Sequence, residues 1–170
     1  MTRPLALFLA LLLAALPARA DQLQQDADTI ESCMTTAWPR DVLGLCVGVI
    51  ADPCQEVSEQ YTTVEMNLCL GREAEAWEAL MGRLWPKMMT RAREVDAANE
   101  TAGLGLDSAA ETMAEAQRAW TVFRAAECRH NHASWSTGSF RSVAYTACRL
   151  DITARRSVDF YGKLMIGGGG

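Results

Sequence analysis

The stretch TTVEMNLC, residues 62–69, opens the longest helical pattern of the chain. Thr62 and Glu65 have the spacing of a capping box, in which the hydroxyl accepts the Glu65 amide proton and the carboxylate accepts the Thr62 amide proton. Downstream, apolar residues recur at the spacing of one helix face: Trp77, Leu80, Met81, Leu84, Trp85 and Met88. We therefore predict a long amphipathic helix from Thr62, kinked or broken near Pro86.

Two further helices are predicted towards the C-terminus. Ser108 and Glu111 repeat the capping-box spacing after a loop expected at residues 99–107. The apolar face of the helix that follows is predicted to contain Met113, Ala116, Trp120 and Phe123. Residues 129–139 interrupt the pattern, and the apolar face of a last helix comprises Val143, Ala147, Leu150, Ala154, Val158 and Tyr161. No strand-like alternation and no internal repeat occurs, so the prediction is an all-α domain of about four to five helices.

The residues before Cys54 predict a smaller helical piece. A helix passes through Ile30 and Met34 and breaks at Trp38-Pro39, and a short apolar helix covers residues 42–50. Asp52-Pro53 is expected to end this piece. Residues 21–53 are therefore interpreted as an N-terminal helical extension.

The first 20 residues have the features of a cleaved signal peptide. Arg3 supplies a positive charge, residues 5–16 are apolar, and Ala18-Arg19-Ala20 is a small-x-small cleavage site. The alternative is an uncleaved membrane anchor, but 12 apolar residues are too few for a spanning helix, which needs about 20. We expect a periplasmic or secreted protein without membrane insertion after cleavage. At the other end, residues 166–170 are expected to form a disordered glycine tail.

The charge balance argues against a nucleic-acid partner. The whole chain has 16 Lys and Arg against 21 Asp and Glu, a formal charge of −5. The leader removes Arg3 and Arg19, which leaves 14 basic residues and a formal charge of −7. An acidic protein is suited to a basic protein partner, although the same charge also serves solubility alone.

All six cysteines follow the predicted leader: Cys33, Cys46, Cys54, Cys69, Cys128 and Cys148. An even number of cysteines behind a signal peptide indicates disulfides. Metal binding is the competing use, but there is no Cys-x-x-Cys pair and no cysteine–histidine cluster at ligand spacing. Six cysteines allow 15 pairings, and spacing alone does not choose among them. No metal site and no cofactor are predicted.

Four charged residues are predicted to border the buried faces of the helices: Glu73, Arg124, Glu127 and Arg156. Because a buried charge must be paired, we interpret them as an ion-pair network that joins three helices beneath Cys128. The alternative is a pair of catalytic carboxylates. That chemistry needs two carboxyl groups across an open cleft, whereas these side chains lie on helix contact faces, so no catalytic residue is predicted.

The segment from 129 to 139 contains the candidate partner contacts. His130 and His132 are the only histidines, and their spacing could bind a metal on a strand. Here they fall at a predicted helix end, where a cationic pair interacts favourably with the helix dipole. Trp135 lies in a turn-like segment, where an aromatic side chain serves as a packing lid or an anchor for a partner. His132 and Trp135 are therefore the predicted partner-binding residues.

These motifs together resemble the lysozyme inhibitor LprI-like family of bacterial envelope proteins. The family pattern is matched at Cys54, at TTVEMNLC 62–69, at AQRAWTVFRAAEC 116–128, at Gly138-Ser139, and at Cys148, Thr153 and Arg156. Two positions depart from it, because Ala125 replaces an aspartate and Ile152 replaces a leucine. The match covers about residues 54–161, and we take 54–165 as the family domain.

The resemblance implies a fold, a disulfide pairing and a function. It implies an all-α domain with the bonds Cys54–Cys69 and Cys128–Cys148, which leaves Cys33 and Cys46 to pair with each other. It also implies an exported, non-enzymatic protein that binds and inhibits a lysozyme-type muramidase. The alternative is a structural or accessory envelope protein that binds another periplasmic component. A thiol–disulfide enzyme is disfavoured because the chain lacks a Cys-x-x-Cys pair. The sequence does not specify an oligomeric state.

Overall fold

The computed structural model describes residues 3–57 and 62–167, with side chains described from residue 19 to residue 166 apart from that gap. Within this part the chain forms six helices and no strand, so the all-α prediction is confirmed. The helices are α1 Arg3–Ala37, α2 Val42–Cys46, α3 Ala51–Glu56, α4 Thr63–Thr101, α5 Ala109–Ser134 and α6 Phe140–Gly167. None of the helices in the described part is long and apolar enough to cross a membrane.

Helix α4 is the centre of the fold and begins where the capping box predicts. The Thr62 hydroxyl accepts from the Glu65 amide at 3.2 Å, and the Glu65 carboxylate accepts from the Thr62 amide at 3.0 Å. Of the kink or break predicted near Pro86, the break is absent, since the helix continues to Thr101 and includes three residues expected in a loop. Proline removes only one backbone hydrogen bond, and the buried side chains of Leu84 and Met88 hold the helix on either side.

The core lies between α4, α1 and α6. Its largest fully buried side chains include Trp77, Leu80, Leu84 and Met88 from α4, Ile30 and Met34 from α1, and Phe160 from α6. Val42 and Cys46 of α2 belong to the same core. The segment interpreted as an N-terminal extension therefore shares one hydrophobic core with the rest of the chain.

The connection after α1 is fixed by an aromatic side chain. Helix α1 ends at Ala37, immediately before Trp38-Pro39, as predicted. The indole of Trp38 lies edge-on to Tyr161 with ring centroids 5.8 Å apart. It also lies over Gly162, where an added Cβ would come within 2.7 Å of the ring. Only glycine fits at position 162 without displacing the indole.

Asp52-Pro53 was predicted to end the N-terminal piece, and this is wrong. Both residues lie in the first turn of α3. Proline is tolerated there because the first amide groups of a helix have no partner within the helix. The preceding turn, residues 47–50, separates α3 from α2.

Three disulfides join neighbouring helices. They are Cys33–Cys46, between α1 and α2, Cys54–Cys69, between α3 and α4, and Cys128–Cys148, between α5 and α6. The Cα atoms of the three pairs lie 5.8, 5.6 and 5.4 Å apart, within the usual range for a disulfide. All six cysteines are used, in the pairs expected from the sequence.

The predicted interruption at 129–139 is mostly helical. Helix α5 continues to Ser134, and only residues 135–139 form a turn. The Asn131 amide donates to the Glu127 carbonyl at 3.2 Å, and the Ser134 hydroxyl donates to the His130 carbonyl at 2.9 Å. These polar residues therefore sit within the last turns of the helix. At the C-terminus, α6 includes Ile166 and Gly167 of the predicted glycine tail, and residues 168–170 lie outside the described residues.

Candidate partner-binding site

The partly buried charged side chains form separate clusters, and the first is centred on Glu78 of α4. Its Oε1 accepts from Arg124 Nη1 of α5 at 2.7 Å and from Arg149 Nη2 of α6 at 2.8 Å. Arg124 Nη1 also donates to the Thr153 hydroxyl at 2.9 Å. Burial acts to lower the pKa of Arg149, but the hydrogen bond and charge of Glu78 outweigh it, so the pKa lies above its usual value. The cluster ties three helices together through one carboxylate.

Arg156 belongs to a second cluster. Its Nε donates to Gln117 Oε1 at 3.0 Å, and its Nη1 donates to Asp159 at 3.2 Å. The guanidinium also lies 4.6 Å from the centre of the Phe160 ring, a cation–π distance. Arg156 is thus fully engaged in positioning α6 against α5.

Glu127 takes no part in either cluster. It is half-buried, and its carboxylate makes no ion pair or hydrogen bond within the described residues. Helical spacing within α5 could not show that Glu78, on another helix, is the partner of Arg124. The expected network of Glu73, Arg124, Glu127 and Arg156 is therefore not one unit.

Glu73 is fully buried and is held by neutral donors. Its carboxylate accepts from the backbone amides of Gly48 at 2.7 Å, Ile50 at 3.1 Å and Ala51 at 2.7 Å. The Trp77 indole donates a fourth hydrogen bond at 3.1 Å. The partly positive N-terminus of a helix favours a carboxylate, so Glu73 of α4 serves as the cap of α3. This role fixes the Cys54 region and leaves Glu73 no free oxygen for catalysis.

A further pair, Asp26 and Arg72, is not among the sequence predictions. Arg72 donates to both oxygens of the buried Asp26 carboxylate, at 2.6 and 2.7 Å. Burial acts to raise the pKa of Asp26, but the hydrogen bonds from Arg72 and Gln22 outweigh it, so the pKa lies below its usual value. Asp26 precedes Ile30 by one helical turn, and that position could have identified it as a buried acid.

The end of the molecule where α5 turns into α6 has a different character. The 22 residues from Arg129 to Leu150 include three arginines and two histidines and no acidic residue. Together with the start of α4, residues 62–68, whose one acidic residue is the capping residue Glu65, they form what we call the cationic tip. The side chains that line a groove of about 640 Å³ there are Asn67, Arg129, His132, Ser142, Tyr145 and Thr146.

The groove is built from ordered polar contacts. The Thr146 hydroxyl donates to Asn67 Oδ1 at 2.6 Å and joins α6 to α4. His132 lies edge-on to Tyr145 with ring centroids 6.3 Å apart. The Cys128–Cys148 disulfide holds α5 and α6 together next to these contacts. The tip is therefore a fixed surface and not a long loop.

Trp135 lies at the outer edge of the tip. Its side chain is 49% exposed and packs on Phe140, with ring centroids 4.6 Å apart. Val64 and Leu68, on the first two turns of α4, are also exposed. The tip thus combines exposed apolar side chains with cationic ones, a composition typical of protein-binding surfaces.

A comparison with protein families gives one match. The model of a family described as lysozyme inhibitor LprI matches residues 54–159. The chain belongs to this family. Neither the curated proteins nor the solved structures gave a match.

The LprI match begins at Cys54 and includes the cationic tip. It contains the disulfides Cys54–Cys69 and Cys128–Cys148, the Glu78 cluster and, apart from Phe160, the Arg156 cluster. The first two helices and Cys33–Cys46 lie before it.

In the described residues no group of three or more His, Cys, Asp and Glu side chains is arranged to hold a metal ion.

Glu78, which pairs with Arg124, and Glu127, which was predicted to do so, are expected to differ in their effect on stability. Glu78→Ala should lower the free energy of unfolding by about 2 kcal/mol, because it leaves two partly buried arginines without their acceptor. Glu127→Ala should change it by less than about 0.5 kcal/mol, since no partner is lost. Chemical denaturation of the two variants beside the unsubstituted protein measures both values. A larger loss for Glu127→Ala than for Glu78→Ala would contradict this assignment.

Proposed function

We propose that the chain is an exported protein that binds and inhibits a lysozyme-type muramidase through the cationic tip. The observation that carries the proposal is membership of the LprI family, whose description is lysozyme inhibitor. The signal-peptide pattern of residues 1–20 and the three disulfides support an oxidising, extracytoplasmic location. A non-enzymatic role is supported by the family description and by the engagement of Glu73 and Asp26 in structural contacts.

The chemistry of the tip suits a muramidase cleft. Glycoside hydrolysis generally uses two carboxyl groups that flank the scissile bond, so the floor of such a cleft is acidic. His132, the Tyr145 hydroxyl and Arg141 offer cationic or hydrogen-bond-donating groups without an acidic residue between Arg129 and Leu150. Trp135 provides an exposed aromatic anchor at the edge of this surface.

The charge of the whole molecule favours the same encounter by a different route. After removal of the leader the chain has a formal charge of −7, although the tip is cationic. The negative body attracts a basic enzyme over a distance of about a Debye length. At contact, the tip meets the acidic cleft and sets the orientation of the two proteins. The two electrostatic effects act at different ranges.

Substitutions at the tip are expected to weaken binding without loss of stability. In the disulfide-bonded protein, residues 21–170, Trp135→Ala should weaken binding to a muramidase by roughly 2 kcal/mol, as expected for a partly exposed aromatic anchor. His132→Ala should weaken it by roughly 1 kcal/mol through loss of a groove contact. Calorimetry measures binding directly, and a cell-wall lysis assay beside it measures inhibition.

Leu106→Ala is the matched control for these variants. Leu106 is exposed in the loop between α4 and α5, at the opposite end of the molecule. If both tip variants bind as the unsubstituted protein does, the tip is excluded as the contact. If no animal-type, goose-type or bacterial muramidase binds at roughly 50 µM protein, the inhibitor proposal fails and the accessory envelope protein takes its place.

A further inference from the structure

The outward face of α5 carries an apolar stripe that no described helix covers. Ala119, Val122, Phe123 and Ala126 are all exposed, at the spacing i, i+3, i+4 and i+7 of one helix face. Val122 is 70% exposed and Phe123 is 54% exposed. Phe123 was predicted to face the core together with Ala116, and both predictions are wrong.

The inward face of α5 explains this orientation. The side chains turned towards α4 and α6 are Met113, Gln117, Trp120, Arg124 and Cys128, which also follow helical spacing. Gln117 and Arg124 are held there by Arg156 and Glu78, and Cys128 by its disulfide. These contacts fix the rotation of α5, so Val122 and Phe123 cannot turn inward without breaking them.

Three exposed charged residues, Glu115, Arg118 and Arg129, lie on one edge of the stripe, and Glu115 and Arg129, of opposite sign, are placed symmetrically about Val122. Glu115 lies seven residues before Val122, and Arg129 lies seven residues after it. Their separation of 14 positions is almost four turns of 3.6 residues, so both side chains lie along the same edge of the stripe. Both are exposed, and neither makes an ion pair or a side-chain hydrogen bond within the described part of the chain.

We propose that a second copy of this chain docks antiparallel on α5, about a two-fold axis near Val122. In an antiparallel helix pair, side chains on one edge of the stripe meet the same edge of the partner. Glu115 of each copy then lies opposite Arg129 of the other copy, and the symmetry forms this ion pair twice. A parallel arrangement would place like charges opposite each other.

The side chains of the stripe suit such a contact. Ala119 and Ala126 allow the two helix backbones to approach closely, while Val122 and Phe123 fill the centre. A single helix pair is at the small end of stable interfaces, so we expect dissociation in the micromolar range, roughly 10 to 100 µM. His132 and Trp135 lie off this face, whereas Arg129 belongs both to this contact and to the lining of the groove at the tip.

Sedimentation equilibrium of the disulfide-bonded protein between roughly 5 and 500 µM tests the proposal. The unsubstituted protein should change from monomer to dimer over this range, and Phe123→Glu should remain monomeric. Leu104→Glu is the matched control, because Leu104 is an equally exposed apolar residue in the loop before α5. It should dimerise normally. An unsubstituted protein that stays monomeric, or a Phe123→Glu variant that still dimerises, would overturn the proposal.

A charge exchange tests the antiparallel register itself. Glu115→Arg or Arg129→Glu alone should raise the dissociation constant by about tenfold, since each places like charges opposite each other twice. The double variant Glu115→Arg/Arg129→Glu should restore dimerisation to near that of the unsubstituted protein. Failure of the double variant to recover would exclude this register. If Phe123→Glu loses muramidase binding while all forms are monomeric, the stripe is an enzyme contact and the second-copy proposal is wrong.

Discussion

Glu73→Ala is expected to lower the free energy of unfolding by about 3–5 kcal/mol. The substitution removes one carboxylate that accepts three backbone amides and the Trp77 indole in a fully buried place. Each buried donor left without an acceptor costs about 1–3 kcal/mol. The total is smaller than the sum over four donors because relaxation of the short helix α3 lets water reach some of them. For a chain of this size the melting temperature should fall by roughly 10 °C.

Differential scanning calorimetry of the disulfide-bonded protein measures the change. Glu94→Ala is the matched control, since Glu94 is an exposed glutamate on the same helix, and it should leave the melting temperature almost unchanged. The melting temperature of Glu73→Gln should lie between those of the two alanine variants, because an amide keeps one acceptor oxygen but presents protons to the remaining amide donors. Equal melting temperatures for Glu73→Ala and Glu94→Ala would show that the cap of α3 contributes little.

Reduction of the three disulfides is expected to unfold the protein near 37 °C. By loop-closure entropy each bond contributes about 3 kcal/mol, because the paired cysteines are separated by 13, 15 and 20 residues. Their combined contribution approaches the total stability of a typical domain, about 5–15 kcal/mol. Circular dichroism with and without reductant, followed by alkylation of the thiols, measures the loss of the cooperative transition.

Peptide mapping under non-reducing conditions provides the control for that experiment. It should give the peptides Cys33–Cys46, Cys54–Cys69 and Cys128–Cys148 and no free thiol. A reduced and alkylated chain that melts at the same temperature as the oxidised chain would show that the helices are stable without these bonds. A different set of linked peptides would contradict the pairing itself.

Local patterns were sufficient to predict where most helices begin. The Thr62 box and the Ser108 hydroxyl cap the helices that they were expected to cap, and Trp38-Pro39 follows the end of α1. Such signals act within one turn, so they are visible in the sequence. The continuation of α4 through Pro86 was not visible, because it depends on burial of side chains on both sides.

The rotation of α5 could not be predicted from its apolar residues. Ala116 and Phe123 suggested one face, but the helix turns Gln117 and Arg124 inward instead. Those polar side chains are accommodated because Arg156 and Glu78, from other helices, provide partners. Hydrophobic periodicity within one helix gives no information about partners on another helix. For the same reason it identified Glu127, in place of Glu78, as the acid that pairs with Arg124.

The sequence predicted two residues of the candidate site but not its groove. His132 was predicted at a helix end and Trp135 in a turn-like segment, and the structure places His132 in the last turns of α5 and Trp135 immediately after it. The groove beside them needs Asn67, which is distant in sequence and reaches the tip through Thr146. A contact between residues so far apart depends on the packing of α4 against α6, which no local pattern encodes.

The order of the disulfides has a consequence for how the chain matures. The three bonds join the first cysteine to the second, the third to the fourth and the fifth to the sixth, so none encloses or crosses another. On the export route proposed above, with N-to-C-terminal delivery into an oxidising compartment, both cysteines of each pair would be delivered before the first cysteine of the next pair. A simple oxidase that links thiols as they appear therefore produces the native set directly. We therefore expect the native pairing to form without a dedicated disulfide isomerase.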